Sequence, residues 1–431
     1  MGIERARGPR VGVHVDSAAL RQARMDAGLS LAQVAGTDLT RQAVHLIETG
    51  KVRPTLRSLH IIAQRLGVPE SSLLAPPGPM SDEQAVAELR QLSDRHDDVS
   101  AVDRAAQLIR LGGSPERLAF AHHYTARALY ALARPAEAVP HAREARRRFE
   151  ALRNPWWAAE SMDWEAIALN MLQDPSALKV GRTALRRYRA LGPRSPETES
   201  RMLTHLGTIY YGRRDYEAGL ASYEAALQVE GGVRELATMA RIYHGLGMCH
   251  QGLGCARKAA DLLFKAVTLY EAEQRIAGAP LRQDRPRAEN DLGVVVMELG
   301  DLERAEALLL AALDNYAAAG IDRLQSHTLL SLGDLRQRQG RLDEALDLVT
   351  RAIERAAAFD EQYALTSGYR QLGELYEARG NHGLADASFH RALVLCESGG
   401  LSERGRDYMR LYERVLADRR QARRRARSAT A

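Results

Sequence analysis

The stretch Leu332-Gly333-Asp334-Leu335-Arg336-Gln337-Arg338-Gln339-Gly340-Arg341-Leu342-Asp343-Glu344-Ala345-Leu346-Asp347-Leu348-Val349-Thr350-Arg351-Ala352 decides the fold, because its punctuation returns along the chain. A Leu-Gly pair followed three residues later by a larger side chain occurs at Gly207, Gly247, Gly293, Gly333 and Gly373. These glycines are spaced 40, 46, 40 and 40 residues apart. Seven residues on, a second glycine stands at Gly254, Gly300, Gly340 and Gly380. Twelve on there is Gly219, Ala259, Ala305, Ala345 or Ala385; nineteen on there is always alanine, at Ala226, Ala266, Ala312, Ala352 and Ala392. Two weaker copies precede these, with Ala138/Ala145 and Ala177/Ala184 in the small positions, making seven units. Small residues at such intervals let two helices approach closely, and a glycine between them closes a tight turn. One hairpin cannot bury its apolar face alone, so the units are expected to stack into a right-handed solenoid.

The composition agrees with an all-α chain. Hydrophobic residues make up 45% and aromatics only 5%, with alanine and leucine dominant and no stretch of clean period-two alternation. The repeats resemble the tetratricopeptide family, whose period is about 34 residues. A period near 40 implies helices about a turn longer, or longer connections. The resemblance covers residues 121–401, after connecting helices over 83–120, with residues 402–431 read as a capping helix and basic tail.

Upstream lies a different unit. Residues 1–14 read as a flexible basic arm, and Pro76-Pro77-Gly78-Pro79 within 76–82 cannot continue a helix, so 15–75 should form a separate domain. Five short helical patterns fill it: Ala19–Met25, ending at Gly28; Leu31–Ala35, capped by Ser30; Arg41–Glu48, capped by Thr40; Leu56–Leu66, capped by Thr55; and a short fifth after Pro69. This segment resembles the Cro/C1-type (Xre) helix-turn-helix family through Arg21, Gly28-Leu29-Ser30, Ile47-Glu48-Thr49-Gly50-Lys51, Arg53-Pro54, Leu59, Ala63 and Leu66-Gly67-Val68. The resemblance implies double-stranded DNA as a partner. It puts Arg41, Gln42 and His45 at base-reading positions, Thr49, Lys51 and Arg53 at phosphate positions, and Gln33 and Thr40 among the DNA-facing residues. Two departures stand out: the turn before Thr40 is one residue shorter, and Leu31 replaces a common glutamine.

The net charge of +5 is unevenly spread. Residues 1–75 carry ten basic against six acidic side chains, and residues 402–431 carry ten against four, which leaves the middle acidic. A polyanion would prefer the ends. The arrangement of a repressor-type head before an array resembles the peptide-responsive RRNPP regulators, which implies a homodimer and a peptide or protein ligand on the concave wall. In the repeat register that wall includes Arg201, Tyr211, Arg241, His244, Arg287, Asn290, His327 and Arg370, and Asn290 occupies a position that the family uses to bind an extended backbone. A protein-interaction scaffold, with the array docking a partner and the head only localising it, is the competing reading.

Catalysis has no support: no Gly-rich phosphate loop, HExxH, GxSxG or paired-carboxylate signature occurs. Cys249, Cys255 and Cys396 fit neither a disulfide framework nor a zinc site, so no metal or cofactor is expected. No apolar run of membrane-spanning length and no secretory segment is present, which points to a cytoplasmic protein.

Overall fold

A computed structural model describes residues 13, 15–74, 81–229, 231–233, 235–277 and 283–429. Of the expected basic arm at 1–14, residues 1–12 and 14 lie outside the described residues, as does the proline cluster at 76–80. The described residues divide into two compact units, 1–85 and 86–431.

The first unit contains α1 (Ser17–Asp26), α2 (Leu31–Ala35), α3 (Arg41–Glu48) and α4 (Leu56–Leu66), then a single 3₁₀ turn, Glu70–Ser72, where the sequence suggests a fifth helix. Each start has a side-chain cap. Asp16 accepts from Ala18 and Ala19, Thr40 from Ala43 and Thr55 from Ser58, while Ser30 and Gln33 form a capping box. Leu20, Val34, Val44, Ile47, Leu59, Ile62 and Leu66 make one core between these short helices. Val15 and Leu74 form an isolated antiparallel bridge, the only β pairing among the described residues.

α5 (Asp82–Asp94), capped by Ser81 in a box with Gln84, contains the division after Ala85, and α6 (Asp98–Leu111) follows it in the second unit. Seven hairpins follow. They are α7 (Pro115–Ala131) with α8 (Pro135–Ala151), α9 (Pro155–Met171) with α10 (Ala177–Arg189), and α11 (Pro196–Gly212) with α12 (Tyr216–Gln228). Next come α13 (Leu236–Gly252) with α14 (Ala256–Ala277), α15 (Asp284–Glu298) with α16 (Leu302–Ala318), α17 (Gln325–Arg338) with α18 (Leu342–Ala358), and α19 (Gln362–Ala378) with α20 (His382–Ser398). α21 (Ser402–Ala429) covers the last hairpin through Leu411, Tyr412, Val415 and Leu416. Ser114, Asn154 and Ser195 each cap a helix whose first residue is proline, a position where the missing N–H costs nothing.

The repeat phrase now has a physical meaning. A Cβ at Gly207, Gly247, Gly293, Gly333 or Gly373 would lie 2.7–3.0 Å from a side-chain carbon of Tyr223, Leu263, Leu309, Val349 or Phe389 on the paired helix. Only glycine permits that approach. The second glycine adopts a left-handed conformation in the turn, with φ of +76°, +91°, +76° and +73° at Gly254, Gly300, Gly340 and Gly380. The first three hairpins use Ala133, Gln173 and Arg214 there at φ of 55–60°, which costs each of them backbone strain. Alanines 259, 266, 305, 312, 345, 352, 385 and 392 are all 1% exposed or less, so the small positions are helix–helix contacts. Most helices run 17 residues, which lengthens the period to 40, and the one 46-residue interval contains the 22-residue α14. Cys249 and Cys396 are buried and Cys255 is exposed.

Candidate functional site

In the first unit α3 is amphipathic in the sense a groove-reading helix needs. Val44 and Ile47 are 0% and 4% exposed and root it in the core, while Arg41, Gln42 and His45 face solvent. Lys51 and Arg53 are exposed in the loop that follows, and neither they nor Arg41 makes an ion pair among the described residues. Three other sequence-singled side chains hold the local backbone. The Thr40 Oγ1 accepts from the Ala43 N–H at 3.0 Å, Thr49 Oγ1 donates to the His45 carbonyl at 2.8 Å, and Gln33 Oε1 accepts from the Ser30 N–H at 2.8 Å.

Two arginines that the sequence reading did not single out set where α3 stands. Arg24 reaches from α1 to Glu48 at the end of α3, with Nε–Oε1 at 2.5 Å and a second contact at 3.2 Å, and it also donates to the Leu29 carbonyl at 3.0 Å. The Glu48 hydrogen bond raises the guanidinium pKa. Arg65 of α4 donates to the Val34 carbonyl at 2.9 Å, to the Ala35 carbonyl and to Asp38. Its guanidinium lies over Gly36, which adopts φ +50°. The short turn before Thr40 is therefore closed by a side chain from a helix twenty-five residues downstream.

In the second unit the expected wall residues fall into three groups. The central one gathers on Asp291. His244 Nε2 lies 2.8 Å from Asp291 Oδ2, and Asn290 donates to Asp291 Oδ1 at 3.2 Å. Burial would raise this carboxyl, but the His244 hydrogen bond and the charges of His244 and Arg287 hold it below the ordinary range. Arg287 itself is exposed, and Asn290 is 8% exposed with its Oδ1 lacking any hydrogen-bond partner among the described residues. Tyr211 borders the group: burial first, then Asp291 and Tyr363, pushes its hydroxyl up. Arg241 donates to Thr238 at 3.2 Å, and the charges of Arg287 and Arg241 both reach Tyr130.

The other two groups stand apart. Arg201 is taken up by Glu160, with Asp163 at 3.6 Å, and its guanidinium lies 5.0 Å from the Trp164 ring centre. Arg370 pairs with Glu374 and lies 5.9 Å from the Tyr408 ring centre. His327 sits 5.8 Å from the Tyr363 ring, its pKa lowered by burial. The array also touches itself across four or five hairpins: Gln283 donates to the Ala131 carbonyl at 3.3 Å, and Arg214 meets Asp407 at 2.7 Å. The inner wall is thus drawn together, and residues from α7, α13 and α15 come within electrostatic reach of one another. Trp156 and Trp157 pack between hairpins, Trp157 at 4.9 Å from Phe120 and Trp156 at 6.1 Å from Tyr188.

The family of a helix-turn-helix domain matches residues 17–74, and that of the tetratricopeptide repeat matches residues 284–358. The chain carries a helix-turn-helix domain followed by tetratricopeptide repeats. No curated protein matches it. Among solved structures, the apo form of the quorum sensor NprR from B. thuringiensis is 14% identical, with 87% of this chain and 99% of that chain covered and a TM-score of 0.57. Aspartyl phosphate phosphatase F from Bacillus subtilis is 13% identical, with 90% and 96% covered and a TM-score of 0.50. The apo form of RapI is 12% identical, with 65% and 97% covered and a TM-score of 0.51. At these identities the likeness establishes the fold, an α-solenoid of tetratricopeptide type. No helix among the described residues is long and apolar enough to cross a membrane.

Proposed function

We propose that the chain is a sequence-specific DNA-binding transcriptional regulator, acting as a homodimer in the cytoplasm, whose repeat array binds a short peptide that changes how the heads engage DNA. The observation that carries this reading is α3. It presents Arg41, Gln42 and His45 outward on a helix that Val44 and Ile47 anchor and that Arg24 and Arg65 hold in position. Arginine and glutamine side chains near the start of such a helix can make bidentate contacts to guanine and adenine edges, and Lys51 and Arg53, exposed in the loop that follows, can meet phosphates. One small head buries little surface, and pairing two heads on half-sites about a helical turn apart supplies the missing affinity.

The ligand half of the reading is supported by the inner wall. Among the described residues, Arg287 and Arg241 are cations without an acidic hydrogen-bond partner, and the Asn290 Oδ1 is buried without a donor. An extended peptide can supply both a backbone N–H and a carboxylate. The test is fluorescence anisotropy of the full chain on its own upstream region and on a scrambled duplex at one salt concentration. The expected result is a preference on the order of a thousandfold or more for the cognate duplex. Equal affinity for the two would refute the reading.

A further inference from the structure

Around Arg201 of the wall lies a second polar site, two of whose members, Arg127 and Trp164, the repeat register does not single out. Trp164 of α9 is 7% exposed, and its indole Nε1 has no hydrogen-bond partner among the described residues. The Nε of Arg201, on α11, is buried and is turned to Asp163 Oδ2 at 3.6 Å. Guanidinium carbons flank the indole, Arg201 at 5.0 Å and Arg127 of α7 at 5.9 Å from its ring centre. Arg201 is balanced by Glu160 and Asp163. Arg127 is half-buried and makes no hydrogen bond or ion pair among the described residues. Burial lowers its pKa, and the like charge of Arg201 acts in the same direction. Tyr130 and His205 complete the surround, 5.7 and 5.1 Å from the indole ring.

A buried donor without an acceptor is costly, and a half-buried cation reached by Asp94 and Glu160 only through space, with no acid hydrogen-bonded to it, is a further cost. One buried indole donor and one guanidinium without an acidic hydrogen-bond partner lie at a single ring, and one anionic acceptor would serve both. Resting on the ligand-wall reading above, we infer that Arg127, Trp164 and Arg201 form a carboxylate subsite for the array's ligand. In it, one carboxylate oxygen accepts from the Arg127 guanidinium and the other from the Trp164 indole N–H, while Arg201, held by Glu160 and Asp163, adds its charge beside the ring. A planar monoanion suits a guanidinium fork. A phosphate dianion does not suit the site, because Glu160 and Asp163 already border it.

The test follows the three indole ¹⁵N–H resonances of the full-length protein, from Trp156, Trp157 and Trp164, with Trp164 assigned by Trp164→Phe. The probes are acetate, acetamide and inorganic phosphate at constant ionic strength. Acetate is expected to move the Trp164 resonance saturably while acetamide and phosphate do not, and R127Q or R127M should weaken acetate at least about tenfold. The two variants guard against one failing to fold. A Trp164 resonance that ignores acetate, that responds to acetate in both variants as strongly as in the parent, or that saturates with phosphate instead would overturn the subsite. The outcome is independent of DNA. Acetate binding combined with equal affinity for cognate and scrambled duplexes would leave the subsite standing and remove the gene-regulator reading, and the reverse result would do the opposite.

Discussion

Replacing Gly333 with alanine tests the packing that defines the array. An added Cβ would lie 2.8 Å from Val349 Cγ2 on α18 and 3.2 Å from the Gln371 Nε2 on α19, both side chains being 3% exposed or less. Carbon–carbon contact is optimal near 3.5–4.0 Å, so the methyl group intrudes by about 1 Å, and overpacking of this kind costs about 1–3 kcal/mol. Alanine in a helix interior returns about 1 kcal/mol over glycine, leaving a net destabilisation of roughly 0–2 kcal/mol. Stacked repeats need not unfold in one step, so hydrogen exchange of the α17 and α18 amides is the assay, with urea unfolding beside it. The double variant G333A/V349A should recover at least about 1 kcal/mol relative to the sum of the single changes, because the clash partner is gone. A G333A protein more stable than the parent, with no recovery beyond additivity in G333A/V349A, would refute close helix approach as the reason for the repeat phrase.

Other consequences follow from single contacts. Gln173→Gly removes a left-handed strain at φ 56° and should stabilise its hairpin by about 0.5–1 kcal/mol, read as a higher urea midpoint at unchanged slope. Arg24→Ala should destabilise the head by about 2–3 kcal/mol and loosen α3, since Glu48 is left 6% exposed without its cation; thermal unfolding of the 1–85 signals reports it. Acid should weaken the array. His122, whose Nδ1 is 3.0 Å from that of His141, is lowered to about 4 by burial and its neighbour, and His123 is held well below the ordinary value by burial. The unfolded chain therefore binds protons below pH ~6.5 that the folded chain refuses, so stability is full above that pH and falls toward pH 4. The loss from His122 is roughly 1–2 kcal/mol once its partial exposure is discounted, and His122→Asn should flatten the curve.

What was legible in the chain was what local sterics dictate. Gly293 and Ala305 recur because helices touch there, and Thr40 and Thr55 announce helix starts because a hydroxyl must satisfy a free N–H. A 3₁₀ turn stands at Glu70–Ser72 because three residues after Pro69 are too few for an α-helical ladder. The wall residues could be read by register, but not their partners. Arg201 meets Glu160 across 41 residues, and His244 meets Asp291 across 47, distances that depend on how hairpins stack. The self-contacts Gln283 to Ala131 and Arg214 to Asp407 arise from the rotation accumulated over four or five hairpins, which no local spacing encodes. Arg24 and Arg65 were equally hidden, because nothing in a helical pattern tells a clamping arginine from a solvated one.

The most direct measurement is the affinity of the R41A/Q42A double variant for the cognate duplex and for a scrambled one, taken across a range of salt. Both side chains are exposed and neither is part of the core, so the fold should persist. The predicted result is a loss of the preference by about 1–3 kcal/mol per lost base contact, with the salt slope retained because Lys51 and Arg53 still meet phosphates. A double variant that kept the parent's preference would contradict the assignment of α3 as the helix that reads DNA.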